Sequence, residues 1–165
     1  PIFGDIMDAI EKFIEEGYTD IIHFPISFKL SSTGPNVVNV ANEYADKINV
    51  HVVDTKVACY LQGYLAVNAK QMVEHGATVE EILKRSEELI KYSKKQKLKF
   101  LEKYINNTVQ VLFESYDNGI LQGYTRNYIR VKSKGDKSLC GTIQDVAVTL
   151  LESEILEGEI MEKTI

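Results

Sequence analysis

Lys91-Tyr92-Ser93-Lys94-Lys95-Gln96-Lys97-Leu98-Lys99-Phe100-Leu101-Glu102-Lys103 sets six lysines against one acid, and the sequence changes character on either side of it. Before it, residues 1–83 hold five Lys/Arg against twelve Asp/Glu, and apolar runs alternate with helical periodicities. After it come short alternating segments punctuated by Gly, Asn and Asp. The stretch therefore predicts a seam between an acidic α/β piece, residues 1–94, and a β piece, residues 95–165. Val79, Ile82, Leu83, Leu89 and Ile90, followed by Phe100, Leu101 and Tyr104, keep a helical spacing through the seam. One long helix joining the two pieces is expected, with its lysines in solvent.

In the front piece, Ile6, Ile10, Phe13 and Ile14 share one helical face, and Gly17 is placed to stop that helix. Thr19 to Ile26 is a β-branched apolar run that reads as a buried parallel strand. Ser27-Phe28-Lys29-Leu30-Ser31-Ser32-Thr33-Gly34 follows as a polar turn, and Pro35 suits the first turn of the next helix. Ile48 to Val53 predicts a second strand ending at Asp54-Thr55. Helices near 57–75 and from Thr78 onward complete the alternation, the latter opening on a Thr78/Glu81 capping box. Ligands of such sheets bind beyond the carboxyl ends of the strands. The candidate site residues are therefore Ser27, Ser31, Ser32 and Thr33 after the first strand, and Asp54 and Thr55 after the second. Hydroxyls and free amides entering a helix N-terminus suit a carboxylate or phosphate; the same hydroxyls also serve as ordinary helix caps.

In the back piece, Asn107 to Glu114 alternates with Val109, Val111 and Phe113 on one face, and Asp117-Asn118-Gly119 is a hairpin turn. Ile120 to Tyr124, Tyr128 to Lys132, Ile143 to Leu150 and Gly158 to Met161 supply further strands. Five short strands predict a small closed barrel and an α+β chain overall. Within it Tyr124, Arg126, Asn127, Tyr128, Arg130, Lys132 and Lys134 interleave cations with rings, a pattern that lets charges track phosphates while aromatics stack on unpaired bases. A solvated edge strand guarded by charge accounts for the same residues.

The composition bounds the rest. A net charge of −5 argues against nonspecific nucleic-acid binding by the whole molecule while leaving room for a local basic face. Cys59 and Cys140 are far apart and lack metal spacing, so no metal, cofactor or disulfide framework is expected. No apolar run reaches a membrane span and no signal-peptide pattern opens the chain, so a cytoplasmic protein is expected. Pro1 stands where an initiator Met would, which predicts a processed chain or a fragment. Each of His23, His51 and His75 reads as a packing, edge or capping residue rather than a catalytic one, and no nucleophile–base–orienter set assembles, so no enzyme is expected.

Two resemblances extend this reading. Gly-Tyr-Thr-Asp-Ile-Ile at 17–22, Ser27 to Thr33, Val52-Val53-Asp54-Thr55 and Gly63 resemble the DegV family over residues 1–90. That likeness implies fatty-acid binding and, for some members, presentation of the acyl chain to a fatty acid kinase. Ser31, in the position of the family's serine in its Leu-Ser-Gly-Thr turn, would hold the carboxylate, with Thr33 and Ser27 in support; Ser32 stands where the family has glycine. The family's N-terminal strand with its Asp-Ser signature, and its second domain, do not occur in these residues. Lys-Phe-Leu-Glu-Lys-Tyr-Ile at 99–105, Thr-Val-Gln-Val-Leu-Phe-Glu at 108–114, Gly-Tyr-Thr-Arg-Asn-Tyr-Ile-Arg-Val at 123–131, Leu-Cys-Gly-Thr-Ile at 139–143 and Leu-Glu-Gly-Glu-Ile at 156–160 resemble the C-terminal TRAM domain of MtaB-type tRNA methylthiotransferases. That likeness, over about 95–163, implies a barrel that binds tRNA, without the radical-SAM domain that performs methylthiolation. Three readings follow: an RNA-binding module, a fatty-acid-binding protein whose barrel is structural, and a mosaic with neither activity. Because two strands leave sheet edges uncovered, a homodimer through the incomplete front sheet is also expected.

Overall fold

The computed structural model describes residues 2–161. The chain divides into two compact units, 1–92 and 93–165. In the first, α1 (Phe3–Glu15), β1 (Asp20–His23), α2 (Thr33–Ala41), β2 (Asn49–Val52), α3 (Tyr60–Glu74) and the start of α4 (Val79–Glu102) follow in order. α1 buries Ile6 and Ile10, and Gly17 at φ +82° ends it, a conformation glycine adopts without a Cβ penalty. β1 and β2 pair in parallel, Asp20 opposite Asn49 through His23 opposite Val52. The period-2 alternation then splits the core into two layers. Ile21, Val50 and Val52 pack with Ile6, Ile10, Val37 and Val40 under α1 and α2, whereas Ile22 and Val53 pack with Phe24, Leu65, Ala69 and Ile82.

The capping box at the start of α4 forms as expected: Glu81 N donates to Thr78 Oγ1 at 3.3 Å and Thr78 N to Glu81 Oε2 at 2.8 Å. The Thr78 amide and hydroxyl, both donating to Glu81 Oε2, hold the Glu81 carboxyl below its ordinary range. The helix runs without interruption to Glu102, through Ser93 to Gln96. Lys91, Lys94, Lys95, Lys97 and Lys99 are exposed on it, which matches the expectation of a solvated seam.

The second unit is a closed barrel of β3 (Thr108–Asp117), β4 (Ile120–Thr125), β5 (Arg130–Lys134), β6 (Ile143–Glu152) and β7 (Ile155–Ile160), in the order β3-β4-β5-β7-β6. All contacts are antiparallel except β5 with β7. Val111, Phe113, Leu121, Val131, Val146, Val148 and Leu156 fill the interior, where Leu101 from the end of α4 also packs. The β3–β4 turn has Asn118 at φ +48° and Gly119 at φ +84°, the two left-handed residues that a tight hairpin requires. One strand is displaced from its expected place: β5 begins at Arg130 rather than Tyr128. Thr125 is the reason. Its Oγ1 accepts from Ile129 N at 3.0 Å while Tyr128 N donates to Thr125 O at 2.9 Å, so 125–129 is a looped corner with Tyr128 at φ +61°. The last strand starts three residues earlier than expected, at Ile155.

Candidate functional site

Loop 24–32 follows β1 and loop 53–59 follows β2, and hydrogen bonds stitch the two together. Ser27 N donates to Val57 O at 2.8 Å, Phe28 N to Asp54 Oδ1 at 3.2 Å, Thr55 Oγ1 to Pro25 O at 2.8 Å, and Gln62 Nε2 to Phe24 O at 2.8 Å. Loops carrying so many backbone groups need such partners when they are partly buried.

The six front-piece site residues are brought to these two loops but divide by what their polar atoms do. Thr55 is 0% exposed and its hydroxyl is committed to the Pro25 carbonyl, so it acts as a brace. Asp54 Oδ1 accepts from both Phe28 N and Lys56 N at 3.2 and 3.0 Å, which fixes the loop and offsets the carboxylate's charge. Ser27 is buried; its Oγ accepts from Lys29 N, and its carbonyl accepts from Leu30 N and Ser31 N. These three hold shape.

Ser31 and Thr33 are different. Their hydroxyl oxygens lie 3.0 Å apart, and Thr33 N donates to Ser31 Oγ at 3.2 Å. One proton fills the contact between the hydroxyls, so the pair retains one O–H donor for a third group. Ser32 N and Gly34 N find no acceptor among the described residues, and Pro35 has no N–H to offer. The result is a row of donors at the N-terminus of α2. Ser32 contributes through its amide alone: its side chain is exposed and makes no capping bond. Its φ of −76° is open to any residue, so Ser32 sits there without strain. Gly34, in contrast, packs directly against Phe28, because a Cβ there would overlap the edge of the Phe28 ring and force it to move. That contact between 28 and 34 was not legible from residue spacing.

His23 closes β1 on the α1/α2 face of the sheet, and its Nε2 is buried with no hydrogen-bond partner. Burial disfavours the imidazolium and pulls its pKa below the usual 6.5. The unfolded chain therefore binds the proton more readily, and stability present above about pH 6.5 is lost as pH falls toward the lowered folded pKa. The urea midpoint followed by circular dichroism should decline between about pH 7 and pH 5, and His23→Phe should flatten that decline. An identical slope in the variant would assign it to other groups. His51 is held by Asp20 at 3.2 Å, and His75 Nδ1 lies 2.7 Å from Gln71 O at the end of α3.

On the barrel, the back-piece candidates form one outward surface. Tyr124 lies opposite Arg130, and Gln122 opposite Lys132. Tyr124, Arg126, Asn127, Tyr128, Arg130 and Lys134 are exposed, Tyr128 at 87%. Asn127 is engaged internally, accepting from Thr125 Oγ1 and donating to Tyr104 Oη at 3.0 Å. Arg130 donates to Gln122 Oε1 at 2.6 Å, and Lys132 lies 3.9 Å from Glu157. Arg126 and Lys134 have no such side-chain partner among the described residues. Leu112, also exposed, sits opposite Tyr124 and beside exposed Ile143. Sequence reading missed those two because only strand pairing brings them to the aromatic.

Hydroxyl and amide donors beyond the strand ends of a two-layer α/β unit lie where sheets of this class bind their ligands. Residues 1–106 match the family described as "Uncharacterised protein, DegV family", and the chain belongs to that family. A DegV domain-containing protein of Listeria innocua is 32% identical over 107 residues, 65% of this chain and 36% of that protein. A fatty acid-binding protein of Thermotoga maritima is 32% identical over 132 residues, 80% of this chain and 43% of that protein. The crystal structure of a DegV lipid binding protein from Thermotoga maritima superposes with a TM-score of 0.54 at 27% identity, over 84% of this chain and 50% of that one. A fatty acid binding DegV family protein from Streptococcus agalactiae covers 99% of this chain with a TM-score of 0.55, and at 17% identity it speaks to the fold alone. The chain thus spans between about a third and a half of the proteins it resembles. Among the described residues no helix is long and apolar enough to cross a membrane.

Proposed function

We propose that this chain is a non-catalytic binding protein of the cytoplasm whose front unit holds the carboxylate of a fatty acid. The observation that carries the reading is the Ser31–Thr33 hydroxyl pair at the N-terminus of α2, with one O–H and the amides of Ser32 and Gly34 available. Such a row is matched to a carboxylate, because converging donors and the helix dipole both favour negative charge. Family membership and the fatty acid-binding relative support it. Native mass spectrometry of the purified chain should reveal a bound acyl lipid displaced by added oleate. A chain that neither copurifies with nor takes up any fatty acid would refute the reading.

A second reading concerns the barrel, and its strand order favours it. Numbered within the barrel the order is 1-2-3-5-4, with strands 3 and 5 parallel, which supports the OB-like, TRAM-type arrangement. Folds of that kind bind oligonucleotides on the face of strands 2 and 3. Here those strands are β4 and β5, which carry Tyr124, Arg130, Lys132 and Lys134. Filter binding of tRNA should weaken steeply with salt, and Arg126→Ala should lower affinity while making the salt slope shallower by about one. Binding that ignores salt, or none at low salt, would remove this reading.

A further inference from the structure

The outer edge of β2 combines three features that point to one occupant. Asn49 N donates to Thr19 O and Val53 N to His23 O. Alternation along the strand therefore aims residues 49, 51 and 53 at β1 and turns the N–H and C=O groups of Val50 and Val52 outward. No strand among the described residues pairs there. Grooves flank that edge on both faces of the sheet. One of about 270 Å³ runs past Val38, Ala41 and Ala45 on the α2 side. Two of about 610 and 540 Å³ lie on the α4 side, and His51 borders both.

From this edge we infer that the front unit pairs with a second copy of the chain, β2 against β2 in antiparallel register about a two-fold axis at His51. In that register Val50 of one copy faces Val52 of the other, and each such pair exchanges two N–H···O=C bonds. Four otherwise unpaired groups on each copy are satisfied at once, and the strand is its own complement.

The α4 side supplies an independent check through charge. Glu80, Lys84, Glu87 and Lys91 line the two grooves there, and all four are exposed. A two-fold axis between residues 85 and 86 of antiparallel helices sets Glu80 against Lys91 and Lys84 against Glu87 of the second copy. Both contacts join opposite charges. The α4 residues lining the grooves that share His51 run from Val79 to Lys91, so the middle of the helix stretch is level with the middle of β2. A single axis can therefore serve strand and helix. A foreign extended peptide would satisfy the strand edge, but it would have no reason to match this charge order. This inference is independent of the acyl-lipid and RNA readings.

Sedimentation velocity of the 165-residue chain, from about 1 to 200 µM, tests it through charge exchange at exposed positions. A monomer–dimer equilibrium is expected. Lys84→Glu, which sets acid against acid at both symmetric contacts, should raise the dissociation constant at least about tenfold. Lys84→Glu combined with Glu87→Lys should restore it to within about threefold, since the pair is again opposite in sign. A wild-type chain that stays monomeric at the highest concentration overturns the inference. So does a dimer indifferent to Lys84→Glu, or one that the double variant fails to rescue.

Discussion

Gly123→Ala is expected to remove a large share of the barrel's stability while leaving residues 1–92 unaffected. Gly123 lies in β4 between Phe113 and Val131, and a Cβ built on it would stand 2.7 Å from both Leu112 C and Phe113 Cα. Those atoms are backbone of the neighbouring strand. No rotamer change relieves the clash, and β3 would have to move away from β4 beside its irregularity between Phe113 and Ser115. Overpacking of this kind costs about 3 kcal/mol or more. A unit of this size has only about 4–11 kcal/mol of total stability, so the loss is a large share of it. Gly119→Ala provides the contrast: that residue sits in open space, and its φ of +84° adds only left-handed strain, about 1–2 kcal/mol. Hydrogen exchange should show lost protection across β3 and β4 in Gly123→Ala and not in Gly119→Ala. A Gly123→Ala chain within about 0.5 kcal/mol of wild type would mean that the strands do not approach as closely as described.

Ser31→Ala is expected to weaken fatty-acid binding by roughly 10- to 100-fold, the range set by one hydrogen bond to a charged group. The substitution does double damage. It deprives Thr33 N of its acceptor and removes the hydroxyl whose contact orients Thr33 Oγ1 toward the ligand. Thr33→Val should lower affinity by a similar factor. Ser32→Ala should change it less than about threefold, because only the amide of that residue is available to the ligand. Thr55→Ala should behave differently again, lowering stability by about 1–2 kcal/mol by leaving the Pro25 carbonyl without its donor. Titration with a fluorescent fatty acid, beside urea unfolding, separates the two effects. Equal losses for Ser31→Ala and Ser32→Ala would dissolve the distinction between the hydroxyl pair and its neighbour.

How far the site was legible follows from the same residues. The hydroxyl-rich turn, its place after a strand and the entry into a helix at Thr33 and Pro35 were all visible as local pattern. Which hydroxyl is free was not. Ser27, Ser31 and Thr55 look alike in a sequence, and their roles separate only because Pro25 O, Lys29 N and Thr33 N lie where the two loops meet. Likewise Tyr124, Arg126 and Tyr128 were legible as a basic, aromatic run, whereas the loss of Asn127 to Thr125 and Tyr104 was hidden.

The sequence by itself determined what depends on neighbours within a few residues: the α1 face of Ile6 and Ile10, the Thr78/Glu81 cap, the Asn118-Gly119 turn, and an unbroken apolar spacing through the lysine-rich seam. Caps, turns and helical periods are short-range, so spacing suffices to specify them. The tertiary structure alone decided the parallel contact of β5 with β7, the close crossing at Gly123, the Phe28–Gly34 packing and the outward edge at Val50 and Val52. Each of these joins segments that are separated in the chain or rests on which neighbour a strand finds, and hydrophobic pattern sets a side chain's face without naming its partner.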